Sequence, residues 1–564
     1  MQRKPLIECV PNFSEGRSPE VIRQITDAIA AVEGVRLLDV DPGKATNRTV
    51  VTFVGEPEPV IEAAFQAIKK AAELIDMRQH KGEHPRMGAT DVCPLVPVAD
   101  ITLEEAAAWA HRLAARVGTE LQLPVFMYEA AATRPERRNL AEIRSGEYEG
   151  LAKKLENPDW KPDYGPAAFN AKSGATVIGA RDFLVAYNVN LNTTSVRRAN
   201  SVAFDVREQG RILREGDPIT GPVVKDESGE PMRIPGTLKS VKGIGWFIEE
   251  YGIAQVSMNL TNINITSVHE AFEACCDSAL QRGMRVTGSE LVGMAPLKVF
   301  LDAGRYFLEK QQRSTGVSEA ELIKIAVKSL GLDELSPFDP AKKIIEYQLQ
   351  DASRNRLAGM TLDAFANETA SESPAPGGGS IAAYVGALGA ALATMVANLS
   401  AHKPGWDERW KEFSDWAEKG QALKDKLLRL VDEDTHAFNA VMDAFRLPKN
   451  TDEEKQVRKV AIQAATWQAI ETPRLTMELA MESFPMVRAM VEQGNPNSVT
   501  DAGVGALCAR AAVYAAWLNV KVNASGITDK PKAAALLAWC ETQCAEADRL
   551  EREIMALVEG KIGS

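Results

Sequence analysis

A chain of 564 residues is too long for one ordinary hydrophobic core, and at about 150 residues per domain it divides into three or four units. With 45% hydrophobic, 25% charged and 6% aromatic residues it has the composition of a folded protein, which excludes low-complexity disorder. Lys+Arg 65 against Asp+Glu 77 gives a net charge of −12, shared as −5 over residues 1–345 and −7 over 346–564, so no nucleic-acid partner is expected of either half.

In chain order, the first half alternates strand-like and helical runs. LIECV, VRLLDV, TVVTFVG and DVCPLVPV read as strands, and a helix over 57–75 carries Val60, Ile61, Phe65 and Ile68 at three- and four-residue spacings. A second helix over 103–117 is closed by Gly118, then LPVFMY is a strand and ERRNLAEIRSGEYEGLAKKL an interrupted helix. The tract 157–176 has no period and reads as a long irregular loop. A second α/β block opens near 175, with a hydrophilic insertion around 215–235 and a closing helix over 318–332.

From about 351 the grammar becomes Ala-rich and helical, broken at SESPAPGGGS, AHKPGW, RLPKNTDEE, EQGNPNSVTD and NASGITDKPK, which predicts six to eight helices. The expected organisation is multidomain: two α/β subdomains, α+β sandwich-like, over 1–180 and 181–330, a linker over 331–350, and an all-α domain over 351–564. The apolar tract 381–399 is long enough to span a membrane, but its Ala and Gly content fits a buried helix in close helix–helix contact, so no span is expected. Seven cysteines, an odd number with no second cluster to complete a zinc site, point to the reducing cytosol and to no metal. The N-terminus MQRKPLIECV has no apolar signal-peptide core, which fits the same cytoplasmic expectation.

The densest chemistry lies in MRQHKGEHPRMGATD, residues 77–91, broken by Gly82, Pro85 and Gly88 and therefore not a plain solvated helix face. His84 is its sharpest acid/base candidate, because an imidazole accepts and returns protons near neutral pH. Arg86 and Lys81 are candidates for substrate carboxylates. Cys9 and Cys93, near strand ends, read as buried small hydrophobes rather than nucleophiles.

ECVPNFSEGR (8–17), DVDPGKATNRTVVTFVG (39–55), IDMRQHKGEHPRMGATDVCPLVPV (75–98), DYGP (163–166) and SELVGMAPL (289–297) together resemble glutamate formiminotransferase. The second half, with APGGGSIAAYVGALGAALATMV, resembles the formimidoyltetrahydrofolate cyclodeaminase fused behind it in the bifunctional enzymes, and the likeness covers nearly the whole chain in the same domain order.

The resemblance implies transfer of a formimino group from N-formimino-L-glutamate to tetrahydrofolate, polyglutamylated as the co-substrate, then closure to 5,10-methenyltetrahydrofolate with release of ammonia. It places the first acid/base on His84 and folate binding on the loop Gly165, Pro166, Ala167, Ala168, Phe169, Asn170, Ala171, Lys172, Ser173, Gly174, with Phe169 as an apolar wall and Lys172 facing the glutamate tail. Asp41, Asn47 and Arg48 either orient His84 or hold substrate, or stabilise their turn.

In the second half, Gly377, Gly378, Gly379 and Ser380 form either an anion cradle at a helix start or a linker into it. Asp432, His436 and Asn439 fall at i, i+4 and i+7 on one helix face. The resemblance puts the second proton carrier on Asp432, with Asp434 as the less favoured bearer. It also implies a homo-oligomer built from dimers. The family's Gly-Lys-Lys tract is replaced here by AHKPGW, which leaves an alternative in which only the transferase half is active and the helical half is a folate-binding and assembly module.

Overall fold

Two sheets organise the first half, and their seam falls between the strands Thr176–Ala180 and Val185–Leu191. The computed structural model describes residues 5–43, 47–82, 85–216, 221–249, 251–349 and 357–562. Strand Leu6–Cys9 lies centrally in the first sheet, antiparallel to both Arg48–Gly55 and Thr90–Ala99, while Thr176–Ala180 runs parallel to Thr90–Ala99 and to Val125–Glu129. Period-two alternation sends Ile7, Cys9, Phe53 and Leu95 to one face, where Ile25 and Ile29 of helix Pro19–Ala30, Phe65 and Ile68 of Pro57–Leu74 and Leu113 of Leu103–Glu120 complete the core.

Helix Leu103–Glu120 runs past Gly118, which the sequence reads as its stop. Gly118 is there for a different reason: the backbone of Tyr164 and Gly165 packs so closely on it that a Cβ would collide. The aperiodic tract 157–176 is irregular apart from the short turn Pro158–Trp160, as expected. Its anchor is Arg137, fully buried, which pairs with Asp163 at 2.7 Å and donates to the carbonyls of Asp159 and Lys161.

The second sheet is antiparallel, in the order Val241–Ile248, Ile253–Leu260, Val185–Leu191, Val286–Val292, with helices Val196–Val206 and Val268–Gln281 against it. The hydrophilic insertion is a small hairpin, Arg211–Ile212 paired with Arg233–Ile234.

From Leu362 onward the described residues are helical: Leu362–Thr369, Gly378–Ala401, Trp410–Arg446, Asp452–Gln493, Val499–Ala524 and Lys530–Ile562. Trp410–Arg446 is one continuous helix of 37 residues. Gly378–Ala401 and Val499–Ala524 are both long and apolar enough to cross a membrane, yet each packs in the bundle through small residues; Gly386 faces Ala512 and Gly389 faces Gly505. The compact units are Met1–Val299 with Leu330–Leu349, and Phe300–Ser329 with Gln350–Ser564. Residues 300–329, placed by sequence with the second α/β subdomain, thus group with the helices: the Thr315 N–H donates to Ser414 Oγ at 3.0 Å and Asn398 Nδ2 to Gly316 O at 2.8 Å.

Candidate active sites

Between the two sheets of the first unit lies a cavity of about 1820 Å³. Its walls come from both subdomains: Glu8, Arg48 and Pro94 of the first, Ala186, Lys242 and Thr261 of the second, with Arg181 at the seam. Arg48 donates to Asn12 Oδ1, and burial pulls its guanidinium down to about 10. Arg144 is paired with the fully buried Asp91.

His84, with Glu83, lies outside the described residues. The next residue, Pro85, lines the cavity, and both flanks of the segment are anchored. Upstream, Asn47 accepts from the Gly16 N–H at 3.0 Å through Oδ1 and donates to Lys81 O at 3.1 Å through Nδ2. His80 Nε2 meets Asn47 O at 2.8 Å, so that nitrogen carries the hydrogen, and Nδ1 accepts from Arg86 Nε at 3.2 Å. Downstream, Arg86 is buried and spends its guanidinium on Glu149 at 2.7 Å and Glu147 at 3.0 Å. Arg86 is thus an internal tie for this segment rather than a free cation for substrate. Asn47 likewise ties the turn to the histidine segment.

None of the ten residues Gly165–Gly174 lines the cavity. From Asn170 onward their polar groups are spent locally. Met77 N–H donates to Lys172 O and Ala89 N–H to Ser173 O, both at 2.8 Å, and Asn170 Oδ1 accepts from the N–H groups of Lys172 and Ser173. Lys172 Nζ, expected to face a glutamate tail, donates to Glu73 O at 2.7 Å; Phe169, expected as an apolar wall, is 40% exposed and packs on Tyr148. Gly165 takes φ +78° where a Cβ would strike Leu123 O.

In the second unit the helix starts at Gly378 with Gly377 as its N-cap. The glycines make room for a carboxylate of the chain itself: a side chain at Gly379 would collide with Asp434. Ser380 Oγ lies 2.8 Å from Val431 O and 3.1 Å from Asp434 Oδ2, so one hydroxyl proton is shared between them. Burial raises the Asp434 carboxyl above its ordinary range, while the Ser380 hydroxyl and amide oppose that rise. Asp432 has a different surrounding. It is buried, and its two oxygens accept the backbone N–H groups of Leu357 at 2.8 Å and Ala358 at 3.0 Å. Along the same helix Asp432 is buried, His436 half-buried and Asn439 exposed, and it is Asp434 that meets the glycine turn.

Three family models match in order: the formiminotransferase domain, N-terminal subdomain, over residues 6–181, the formiminotransferase domain over 186–350, and formiminotransferase-cyclodeaminase over 361–542. The chain is 42% identical over 548 residues to formimidoyltransferase-cyclodeaminase of Rattus norvegicus, covering 96% of this chain and 97% of that protein. It belongs to the formimidoyltransferase-cyclodeaminase family.

Each half also has separate relatives. The first is 42% identical over 304 residues to glutamate formimidoyltransferase of Streptococcus pyogenes serotype M1, 54% of this chain and 93% of that protein. The second is 40% identical over 202 residues to methenyltetrahydrofolate cyclohydrolase of Methylorubrum extorquens, 36% of this chain and 97% of that protein. In this member of the family, the AHKPGW tract forms an aromatic corner: Lys403 Nζ sits 4.1 Å and Arg409 Cζ 5.0 Å from the Trp406 ring centroid.

Reading the sequence did not single out Glu8, Glu129 or Arg181. All three line the cavity; burial raises Glu8 to about 7 and lifts Glu129 as well, with Arg181 opposing both. The signal available was a lone acid inside the apolar strand LIECV. Cys9 and Cys93 are buried with their sulfurs 3.5 Å apart, and burial pushes the Cys9 thiol up, which suits packing rather than nucleophilic attack.

Proposed function

We propose that this chain carries out two consecutive reactions on one folate: transfer of the formimino group from N-formimino-L-glutamate to N5 of tetrahydrofolate, then closure of 5-formiminotetrahydrofolate to 5,10-methenyltetrahydrofolate. What carries the reading is the division of chemistry between two sites in different compact units, a large cavity between sheets in one and a buried carboxyl against a glycine helix start in the other.

In the first reaction N5 attacks the amidine carbon, a tetrahedral intermediate forms, and the bond to the glutamate nitrogen breaks. His84 takes the N5 proton and returns it to the departing nitrogen. Pro85 in the cavity wall and the ties on both sides of the segment support that role. Arg138, Arg181 and Lys242, all on the cavity wall, supply positive charge for the carboxylates of the donor and of a polyglutamate tail. The loop Gly165–Gly174 touches folate through its exposed side, at Ala167, Ala168 and Phe169, since its polar groups from Asn170 onward are bonded within the subdomain.

In the second reaction N10 attacks the formimino carbon, and the C–N bond to the departing nitrogen breaks as ammonia leaves. Asp434 is the group that moves the proton, because its carboxyl is held toward the protonated form beside Gly379 and Ser380. Asp432 braces the segment around Leu357.

A second reading, hydrolysis of the methenyl product by the helical unit, is favoured by the match to a cyclohydrolase. One assay separates them. With N-formimino-L-glutamate and tetrahydrofolate, the methenyl absorbance band accumulates under the first reading, decays under the second, and never appears if the helical half only binds or assembles.

The protein works as a homo-oligomer built from dimers. Leu388 and Leu399 of helix Gly378–Ala401, with Val504, Leu518 and Val522 of Val499–Ala524, remain exposed and offer apolar side chains to a second copy. None of the seven cysteines is in a disulfide, which suits a reducing cytoplasm.

A further inference from the structure

Glu8 stands alone on the floor of the cavity. Its neighbours Ile7 and Cys9 point into the helix-covered core, while Glu8 lines the cavity with Val10 and Asn12. Across the sheet it is paired with Val54 on one side and Val96 on the other, both fully buried. Glu8 is itself 5% exposed, and no hydrogen bond from a described residue offsets the effect of burial on its carboxyl. Among the described residues Arg181 is the charged side chain that lowers its pKa, against a larger effect of burial. A buried acid on the central strand of a sheet, without a hydrogen-bond partner among the described residues, is costly to keep unless something else supplies the donors.

Two carboxylate oxygens on an apolar floor select a planar ligand edge with two parallel N–H groups and reject anions. Both co-substrates of the proposed transfer present such an N–C–N edge: the 2-amino group and N3–H of the reduced pterin, and the amidine of the formimino donor. We propose that Glu8 is a specificity-determining binding residue of the cavity, accepting paired N–H bonds from the amidine-type edge of a co-substrate. This rests on the transferase reading above.

The test uses the full-length chain and steady-state transfer kinetics of Glu8→Gln, whose amide turns one acceptor into a donor. The KM of one co-substrate rises by about 30-fold or more while kcat is held. If the edge is the pterin's, the rise is in tetrahydrofolate, and the wild type discriminates against 2-desamino-2-methyl-tetrahydrofolate by a similar factor that the variant loses. If it is the donor's amidine, the rise is in N-formimino-L-glutamate and the folate preference is unchanged. Closure of supplied 5-formiminotetrahydrofolate at the wild-type rate shows that the variant chain is folded. Should Glu8→Gln not fold, Glu8→Asp retains both acceptors and must retain the same discrimination in weaker form. Unchanged KM values for both co-substrates, or a fall in kcat alone, overturn the proposal. A wild type with no transfer at all would instead sink the transferase reading.

Discussion

Asp434 is packed against Gly379 in the first turn of helix Gly378–Ala401, and its Oδ2 lies 3.1 Å from the Ser380 hydroxyl. The glycine is needed because a Cβ at 379 and the carboxylate cannot occupy the same space. Gly379→Ala therefore displaces the carboxyl. Closure of 5-formiminotetrahydrofolate is expected to fall by about 100-fold, the scale of losing a positioned acid/base, while transfer in the first unit keeps its rate. The two half-reactions assayed separately check this.

Asp432 and Asp434 separate by the same pair of assays plus melting. Asp434→Asn removes the proton carrier and lowers ring closure by about 100-fold with little change in Tm. Asp432→Asn puts an amide NH2 opposite the Leu357 or Ala358 N–H and costs about 1–3 kcal/mol of stability, read as a lower Tm. Reversed outcomes would return the catalytic role to Asp432.

The carboxyl of Glu8 gives a stability signature that depends on pH. Its folded pKa, about 7, lies above the ordinary 4.5, so the folded state holds the proton more tightly than the unfolded chain. Stability from this group is complete below about pH 4.5 and is lost as pH rises to 7; above that the penalty is about 3 kcal/mol in the empty protein. Glu8→Gln should therefore gain Tm relative to wild type on going from pH 5 to pH 8. A Tm difference that does not change over that range contradicts the burial of an unpaired acid.

Arg137 holds the irregular tract through Asp163 and two backbone carbonyls. Arg137→Ala leaves Asp163 buried without its cation, at a cost of about 3–5 kcal/mol. Hydrogen exchange should quicken across 157–175 before it changes in the helical unit. Uniform exchange in variant and wild type would show that this ion pair is not what orders the tract.

Much of the architecture is legible in the sequence because periodicity reports burial directly. The strands LIECV and TVVTFVG, the helix beginning at Pro57 and the change to Ala-rich helices after 351 all follow from period two or 3.6. Gly118 was misleading, since a glycine inside a helix and one after it look alike until the close approach of Tyr164 and Gly165 is seen. Asp432 and Asp434, two residues apart on a helix, point about 200° from each other, and this helix is contacted on both sides. One carboxylate meets the Leu357 backbone and the other the glycine turn, which spacing cannot foretell. Glu8 was invisible for the converse reason: alternation in a strand allows an outward acid, and only the second sheet makes that face the wall of a cavity.

The most direct measurement is a paired assay of His84→Ala and wild type, in which methenyl absorbance is followed from N-formimino-L-glutamate plus tetrahydrofolate and, separately, from supplied 5-formiminotetrahydrofolate. The account predicts that the variant produces no band from the first mixture and a wild-type band from the second. A variant that forms methenyltetrahydrofolate from the first mixture at the wild-type rate would contradict it.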